Sequence, residues 1–224
     1  MNSTKKLKTK KRHCYFPYDF VRVTGAIPMM LYFRVKTIRF SENSPKRLKG
    51  RAVVAPNHNS FLDPVIVHVG FWYRRFFFLA TKDLFNTPLK EKFFKLMNCI
   101  MVDKKNPSIA CIKEPADRLR EGKAVMVFPE GRVHGDDAVE KYKSGAVLIA
   151  HLGEAPIVPV YIHKPKEWYK RTKIVIGEPF DVKSVCGKIP SMAEIENASE
   201  ILRKKENELK EFYLQYEKRR KKNG

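Results

Sequence analysis

The chain has 224 residues and a mass of 26.1 kDa, which suits one domain with a small appendage. Hydrophobic residues make up 43%, with 15 Phe, 9 Tyr and 2 Trp, and Pro 14 and Gly 11 are ordinary; this excludes wholesale disorder and the collagen-like and linker-rich classes. Lys+Arg 45 against Asp+Glu 24 leaves a net charge of +21, which points to a polyanionic partner such as nucleic acid, an anionic membrane or an acidic carrier protein, and says nothing of the fold.

In chain order, the first element is basic: Lys5, Lys6, Lys8, Lys10, Lys11 and Arg12. A secretory leader would continue into an apolar stretch and a small-residue cleavage site. Here Asp19 and Arg22 interrupt the stretch. The longest uncharged run, residues 23–33, has 11 residues, whereas a spanning helix needs about 20. No transmembrane span is predicted. Residues 15–40 mix aromatics and aliphatics with Arg22, Arg34, Lys36 and Arg39, and Pro17 and Pro28 punctuate them. Two readings fit: one or two short amphipathic helices lying at a membrane interface, or a helix covering the core with its cations in water. The sequence divides into a basic amphipathic segment, 1–45, and an α/β domain, 46–224, that ends in a long helix.

From residue 51 strands and helices alternate. Short apolar runs at 52–55, 76–80, 100–102, 124–128, 157–162 and 174–176 read as buried strands. Helical stretches lie at 64–72, 88–97, 107–121, 142–152 and 191–222. The expected fold class is α/β, with a mixed, largely parallel central sheet flanked by helices. The four cysteines, Cys14, Cys99, Cys111 and Cys186, are scattered without a CxxC pair. Neither a disulfide framework nor a metal site is expected.

Two stretches carry chemistry. Asn57-His58-Asn59-Ser60-Phe61-Leu62-Asp63-Pro64 follows the strand at 52–55. His58 falls in the loop, Asp63 at the cap of the next helix and Pro64 in its first turn. A tight loop can turn the Asp63 carboxylate toward the imidazole, fixing its tautomer and making a general base of the other nitrogen. The plain alternative is a helix cap beside an ordinary loop histidine. The second stretch, Val127-Phe128-Pro129-Glu130-Gly131-Arg132, leaves the strand at 124–128 on the carboxyl edge, where ligands bind in open α/β sheets. Glu130 can orient a polar substrate group and Arg132 offers a planar fork for phosphate. Its plain alternative is a turn with solvated charges.

Together these elements resemble the glycerolipid acyltransferase family, whose best-known members are the lysophosphatidic acid acyltransferases. Asn57, His58 and Asp63 match the family's first block, and Phe128, Pro129, Glu130 and Gly131 its Phe-Pro-Glu-Gly block. Between them Lys82-Asp83-Leu84-Phe85, Pro88 and Val102-Asp103-Lys104 match the middle blocks, and Val158-Pro159-Val160 the late one. The chain departs in lacking a Thr between Gly131 and Arg132, in His134 where Ser is frequent, and in Lys104 where the family has arginine.

The resemblance implies acyl transfer from a thioester, acyl-CoA or acyl carrier protein, to the hydroxyl of a lysophospholipid, with lysophosphatidate the expected acceptor. His58 would be the base and Asp63 its orienting partner. Asn57 would stabilise the oxyanion or support the loop. Glu130, Gly131, Arg132, Lys104 and Lys82 would hold the acceptor. The run 71–78, rich in Phe, Trp and Tyr, borders an acyl groove or is buried core. No cofactor is expected, nor a specific nucleic acid. The implied location is the cytoplasmic face of the cell membrane, peripheral or monotopic. Two other classes stay open: a basic nucleic-acid-binding protein and a hydrolase using the same pair on water.

Overall fold

The computed structural model describes residues 15–104, 108–131, 142–164 and 171–222. Lys5, Lys6, Lys8, Lys10, Lys11, Arg12, Cys14, Arg132 and His134 lie outside them. Among the described residues the strands are β1 (Lys36–Arg39), β2 (Ala52–Pro56), β3 (Phe76–Thr81), β4 (Cys99–Val102), β5 (Ala124–Met126), β6 (Ile157–His163) and β7 (Lys173–Ile176). The helices are α1 (Phe16–Phe33), α2 (Asp63–Gly70), α3 (Pro88–Leu96), α4 (Ala110–Arg120), α5 (Gly145–Gly153) and α6 (Met192–Lys222). The strands make one sheet in the order β1-β7-β6-β2-β5-β3-β4. Every neighbouring pair is parallel except β6 and β7. The α/β class and the mixed, largely parallel sheet expected from the sequence are what the chain forms.

The central strands read as unbroken apolar runs because both faces are covered. Val53, Ala55, Val125 and Val127 pack on one face against Leu119 of α4, Val147 and Ile149 of α5, and Ala198 and Leu202 of α6. Ala52, Val54, Ala124 and Met126 pack on the other against Phe33 of α1 and Ile66 and Val67 of α2. The period of two along each strand thus splits one sheet between two cores. Because β2, β3, β5 and β6 run in parallel, their carboxyl ends, and the loops that follow them, gather on one edge.

The amphipathic segment is a single 18-residue helix and not two. Pro17 is its second residue, where no N–H donor is required. Pro28 lies inside the helix, on its exposed side, where water can satisfy the carbonyl left without a partner. Residues 36–39, read from sequence as part of this segment, are instead an edge strand: β1 pairs with β7 from Lys36↔Lys173 to Arg39↔Ile176. Buried Tyr18 and Phe33 seat α1, and Arg75 clamps Asp19 with two bonds of 2.9 and 2.5 Å. Among the described residues no helix is long and apolar enough to cross a membrane.

Candidate active site

β2 ends at Pro56 and the chain leaves the sheet at its carboxyl edge. Asn57 is buried, and both ends of its amide are used: Nδ2 donates to the Ile162 carbonyl at 3.2 Å, and Oδ1 accepts from the Ile162 N–H at 2.6 Å. This ties the end of β2 to β6. These bonds give Asn57 a loop-support role, one of the two read for it.

Asp63 is the first helical residue of α2, and Leu62 stands at the cap position expected for it. The carboxylate therefore serves the loop behind it. One oxygen accepts from the N–H groups of Asn59 at 2.7 Å and Ser60 at 2.6 Å, and lies 3.2 Å from His58 Nδ1. The tight turn aims the two amides inward, so the carboxylate caps the turn that carries the histidine. Asp63 is only 1% exposed, so its charge acts on the ring with little screening. With Nδ1 committed to Asp63, Nε2 is the nitrogen left for proton transfer.

The second stretch closes over the same histidine. Glu130 is buried, and its carboxylate accepts from the His58 backbone N–H at 3.1 Å. Phe128 stacks on the imidazole with ring centres 4.1 Å apart. Gly131 has φ +72°, a left-handed conformation that favours glycine. The loops after β2 and β5, 72 residues apart at His58 and Glu130, thus make one unit.

His58 lines a cavity of about 1900 Å³. Much of its wall is apolar: Met29 of α1, Phe61, Val65 of α2, Phe78 of β3, and Phe93 and Met97 at α3. Of the aromatic run 71–78, only Phe78 reaches it; Phe71 and Phe76 are core, and Trp72 is exposed. Lys104 and Gly131 also line it, as do the acids Asp103, Glu196 and Glu200. Lys82 pairs with Asp103 at 3.4 Å at the rim and does not line the cavity. An imidazole with a buried carboxylate at one nitrogen, on the wall of a largely apolar cavity, can deprotonate a hydroxyl carried in by a lipid.

With this geometry in place, comparison with known families decides the class: the Acyltransferase family model matches residues 36–163. The chain belongs to the Acyltransferase family. The "1-acyl-sn-glycerol-3-phosphate acyltransferase" of Bacillus subtilis is 33% identical over 162 residues, 70% of this acyltransferase and 80% of that protein. The "Probable 1-acyl-sn-glycerol-3-phosphate acyltransferase" of Mycoplasma pneumoniae is 33% identical over 151 residues, 64% of this chain; the match spans 55% of that protein. In fold the chain is similar to the crystal structure of the 1-acyl-sn-glycerophosphate (LPA) acyltransferase, PlsC, from Thermotoga maritima, with a TM-score of 0.59 and 22% identity over 89% of this chain and 79% of that one.

Sequence reasoning missed several groups at or behind the wall of this acyltransferase's cavity. Lys143, two residues before α5, lines the cavity, and nothing in its local sequence marks it. Tyr142 beside it is buried, and its hydroxyl donates to Glu206 of α6. Glu206 did leave a signal. It falls on the buried stripe Ile195, Ala198, Leu202, Glu206, Leu209, Tyr213, a carboxyl at a core position of an amphipathic helix. Burial first, then the nearby Glu130 charge, push its pKa well up. His68, on α2, is another buried group at the cavity wall. Burial and the Arg22 charge bring its pKa down to about 4, so it stays neutral beside Tyr18.

The Glu206 shift has a consequence for stability. An unfolded chain ionises this carboxyl above about pH 4, while burial holds its pKa in the folded protein well above the usual carboxylate range. Its contribution to stability is therefore present at low pH and is lost as pH rises. Glu206→Gln keeps a neutral hydrogen-bonding group there. Its melting temperature relative to wild type should rise between about pH 5 and about pH 8. A difference that stays flat across that range would show Glu206 ionised in the folded state.

Proposed function

We infer that this acyltransferase moves a fatty acyl group from an acyl thioester, acyl-CoA or acyl carrier protein, to the free hydroxyl of lysophosphatidic acid, giving phosphatidic acid for phospholipid biosynthesis. One observation carries the reading: His58, held 3.2 Å from the buried Asp63 carboxylate, opens on a cavity whose lining is rich in apolar side chains and also includes Lys104 and Lys143. The names of the relatives agree with it. The apolar side chains accept the acyl chain, and the lysines accept a phosphate.

In this reading His58 Nε2 takes the proton from the acceptor hydroxyl as its oxygen attacks the thioester carbonyl. Asp63 stabilises the imidazolium that forms. The tetrahedral intermediate then collapses, the carbon–sulfur bond breaks, and the thiolate leaves and takes up the proton from the imidazolium. No covalent acyl-enzyme is required.

The test is thiol release from an acyl thioester with a panel of acceptors: lysophosphatidate, another lysophospholipid, a monoacylglycerol, and water alone. Release that needs lysophosphatidate and yields phosphatidate is the expected result. Equal release with and without acceptor would make the protein a hydrolase. Release with a different lysophospholipid alone would reassign the acceptor.

The same reading places the protein on the cytoplasmic face of the cell membrane, bound to its anionic surface without crossing it. Support comes from α1, where Phe16, Phe20, Val23, Ile27 and Leu31 recur at helical spacing and are exposed. An exposed apolar stripe of that length marks an interaction surface. Replacing Phe20, Ile27 and Leu31 together by Ser should reduce flotation with anionic vesicles by roughly tenfold or more, each buried side chain being worth about 1.5–3 kcal/mol. Unchanged flotation would move the membrane contact elsewhere.

A further inference from the structure

The turn that carries Glu130 is braced from outside. It closes on itself, with the Gly131 N–H donating to the Phe128 carbonyl at 3.1 Å. Residues 142 and 143 lie alongside it. The Lys143 N–H donates to the Pro129 carbonyl at 2.8 Å. The Lys143 side chain lies across Gly131, where an added methyl group would come within 2.6 Å of Cδ and 2.7 Å of Cε. One short segment therefore holds the residues on both sides of Glu130. The Glu130 carboxylate in turn accepts from the His58 backbone N–H at 3.1 Å.

That segment has its own anchor. Tyr142 is buried and hydrogen-bonded to the buried Glu206 of α6. Glu206 occupies a stripe otherwise given to side chains such as Ile195, Leu202 and Leu209. Its Oε2 has no hydrogen-bond partner among the described residues. A carboxyl in such a place costs stability that an apolar side chain would not. What it provides is a fixed point for the Tyr142 hydroxyl. The Glu130 charge acts on both members of the pair, so the three groups are neighbours. Asn197 and Ser199 of α6 line the same cavity as Tyr142 and His58. Yet α6 lies beyond residues 36–163, which match the family model.

We propose that Tyr142, anchored on Glu206, is a positioning residue for His58: it fixes from α6 the turn whose Glu130 holds the backbone of the histidine. The proposal goes beyond the acyl-transfer reading and rests on it only for the reaction assayed. Asp63 grips the imidazole on one side of the loop, and Glu130 grips the backbone on the other. Loosening the second grip displaces the base and slows the chemical step, with little effect on the binding of substrate.

The experiment is steady-state kinetics and melting curves of the full chain for wild type, Tyr142→Phe, Glu206→Met, the double variant and Glu206→Gln. The double variant removes both polar groups and leaves neither unsatisfied, so its melting temperature should stay near that of wild type. Its kcat should nonetheless fall by roughly 10- to 100-fold, with each KM within about threefold. Glu206→Gln still accepts from the hydroxyl and should keep most of the wild-type kcat. A stable double variant with kcat within about twofold of wild type would show the pair to be structural and overturn the proposal. A raised KM with unchanged kcat would do the same, and so would Glu206→Gln as slow as Glu206→Met. A second readout needs no turnover. The imidazole resonances of His58, assigned by their loss in His58→Ala, should move in the double variant, while those of His151 in the last turn of α5 stay in place. If wild type releases no thiol with any acceptor, the acyl-transfer reading fails while this spectrum still judges the brace, and unmoved His58 resonances would sink it.

Discussion

Replacing His58 by Ala should lower acceptor-dependent thiol release by roughly 10²–10⁴-fold while leaving the protein folded. The hydroxyl of a glycerol backbone is a poor nucleophile until its proton is taken, and His58 is the group at the cavity wall with a carboxylate on its far nitrogen. The other histidine on that wall, His68, is buried against Tyr18 on α2. Stability should change little, because the backbone bond from His58 N–H to Glu130 survives the substitution. The stacking on Phe128 is lost, worth about 0.5–1.5 kcal/mol, and so is the Nδ1 contact with Asp63, whose carboxylate keeps the Asn59 and Ser60 amides. Circular dichroism and a melting curve establish the fold, and the thiol assay reads the chemistry. Near-normal turnover by the folded variant would show that another group is the base.

Asp63 does two jobs, and two substitutions separate them. Asp63→Asn keeps a carbonyl oxygen to accept from Asn59 and Ser60, but removes the charge that favours the imidazolium. Activity should fall by roughly 10²–10⁴-fold with a small change in melting temperature. Asp63→Ala also strips two backbone amides of their acceptor at the start of α2. Each amide left unsatisfied costs about 1–3 kcal/mol, so this variant should lose stability as well as activity. If Asp63→Asn proves as unstable as Asp63→Ala, the carboxylate charge is holding the loop. If Asp63→Asn keeps its activity, the carboxylate is structural only.

Legibility of the site from sequence followed separation along the chain. His58 and Asp63 are five residues apart, so a turn-and-helix argument brought them together. The cap position was one residue off, because the carboxylate faces the turn behind it and not the helix ahead. Glu130 was marked by its place on the carboxyl edge, yet its contact with the His58 backbone was not readable. Nor were the two bonds that Asn57 makes across 105 residues to Ile162. The apolar run 71–78 was ambiguous between groove and core, and most of it is core. Composition cannot say which side of a strand meets a cavity.

Local physics made the strands and helices legible. A strand covered on both faces must be apolar throughout, and an amphipathic helix must repeat its apolar residues every three to four positions. Those rules, read along 224 residues, determined the α/β class, the placing of His58 and Glu130 at strand ends and the basic, amphipathic beginning of the chain. The order of the strands, the pairing of β1 with β7, the Tyr142–Glu206 contact and the bond from the His58 backbone to Glu130 were decided by tertiary structure alone. Each joins segments far apart in the chain, and a contact between distant segments imposes no period on either sequence. It exists only once the sheet has set the distance between them.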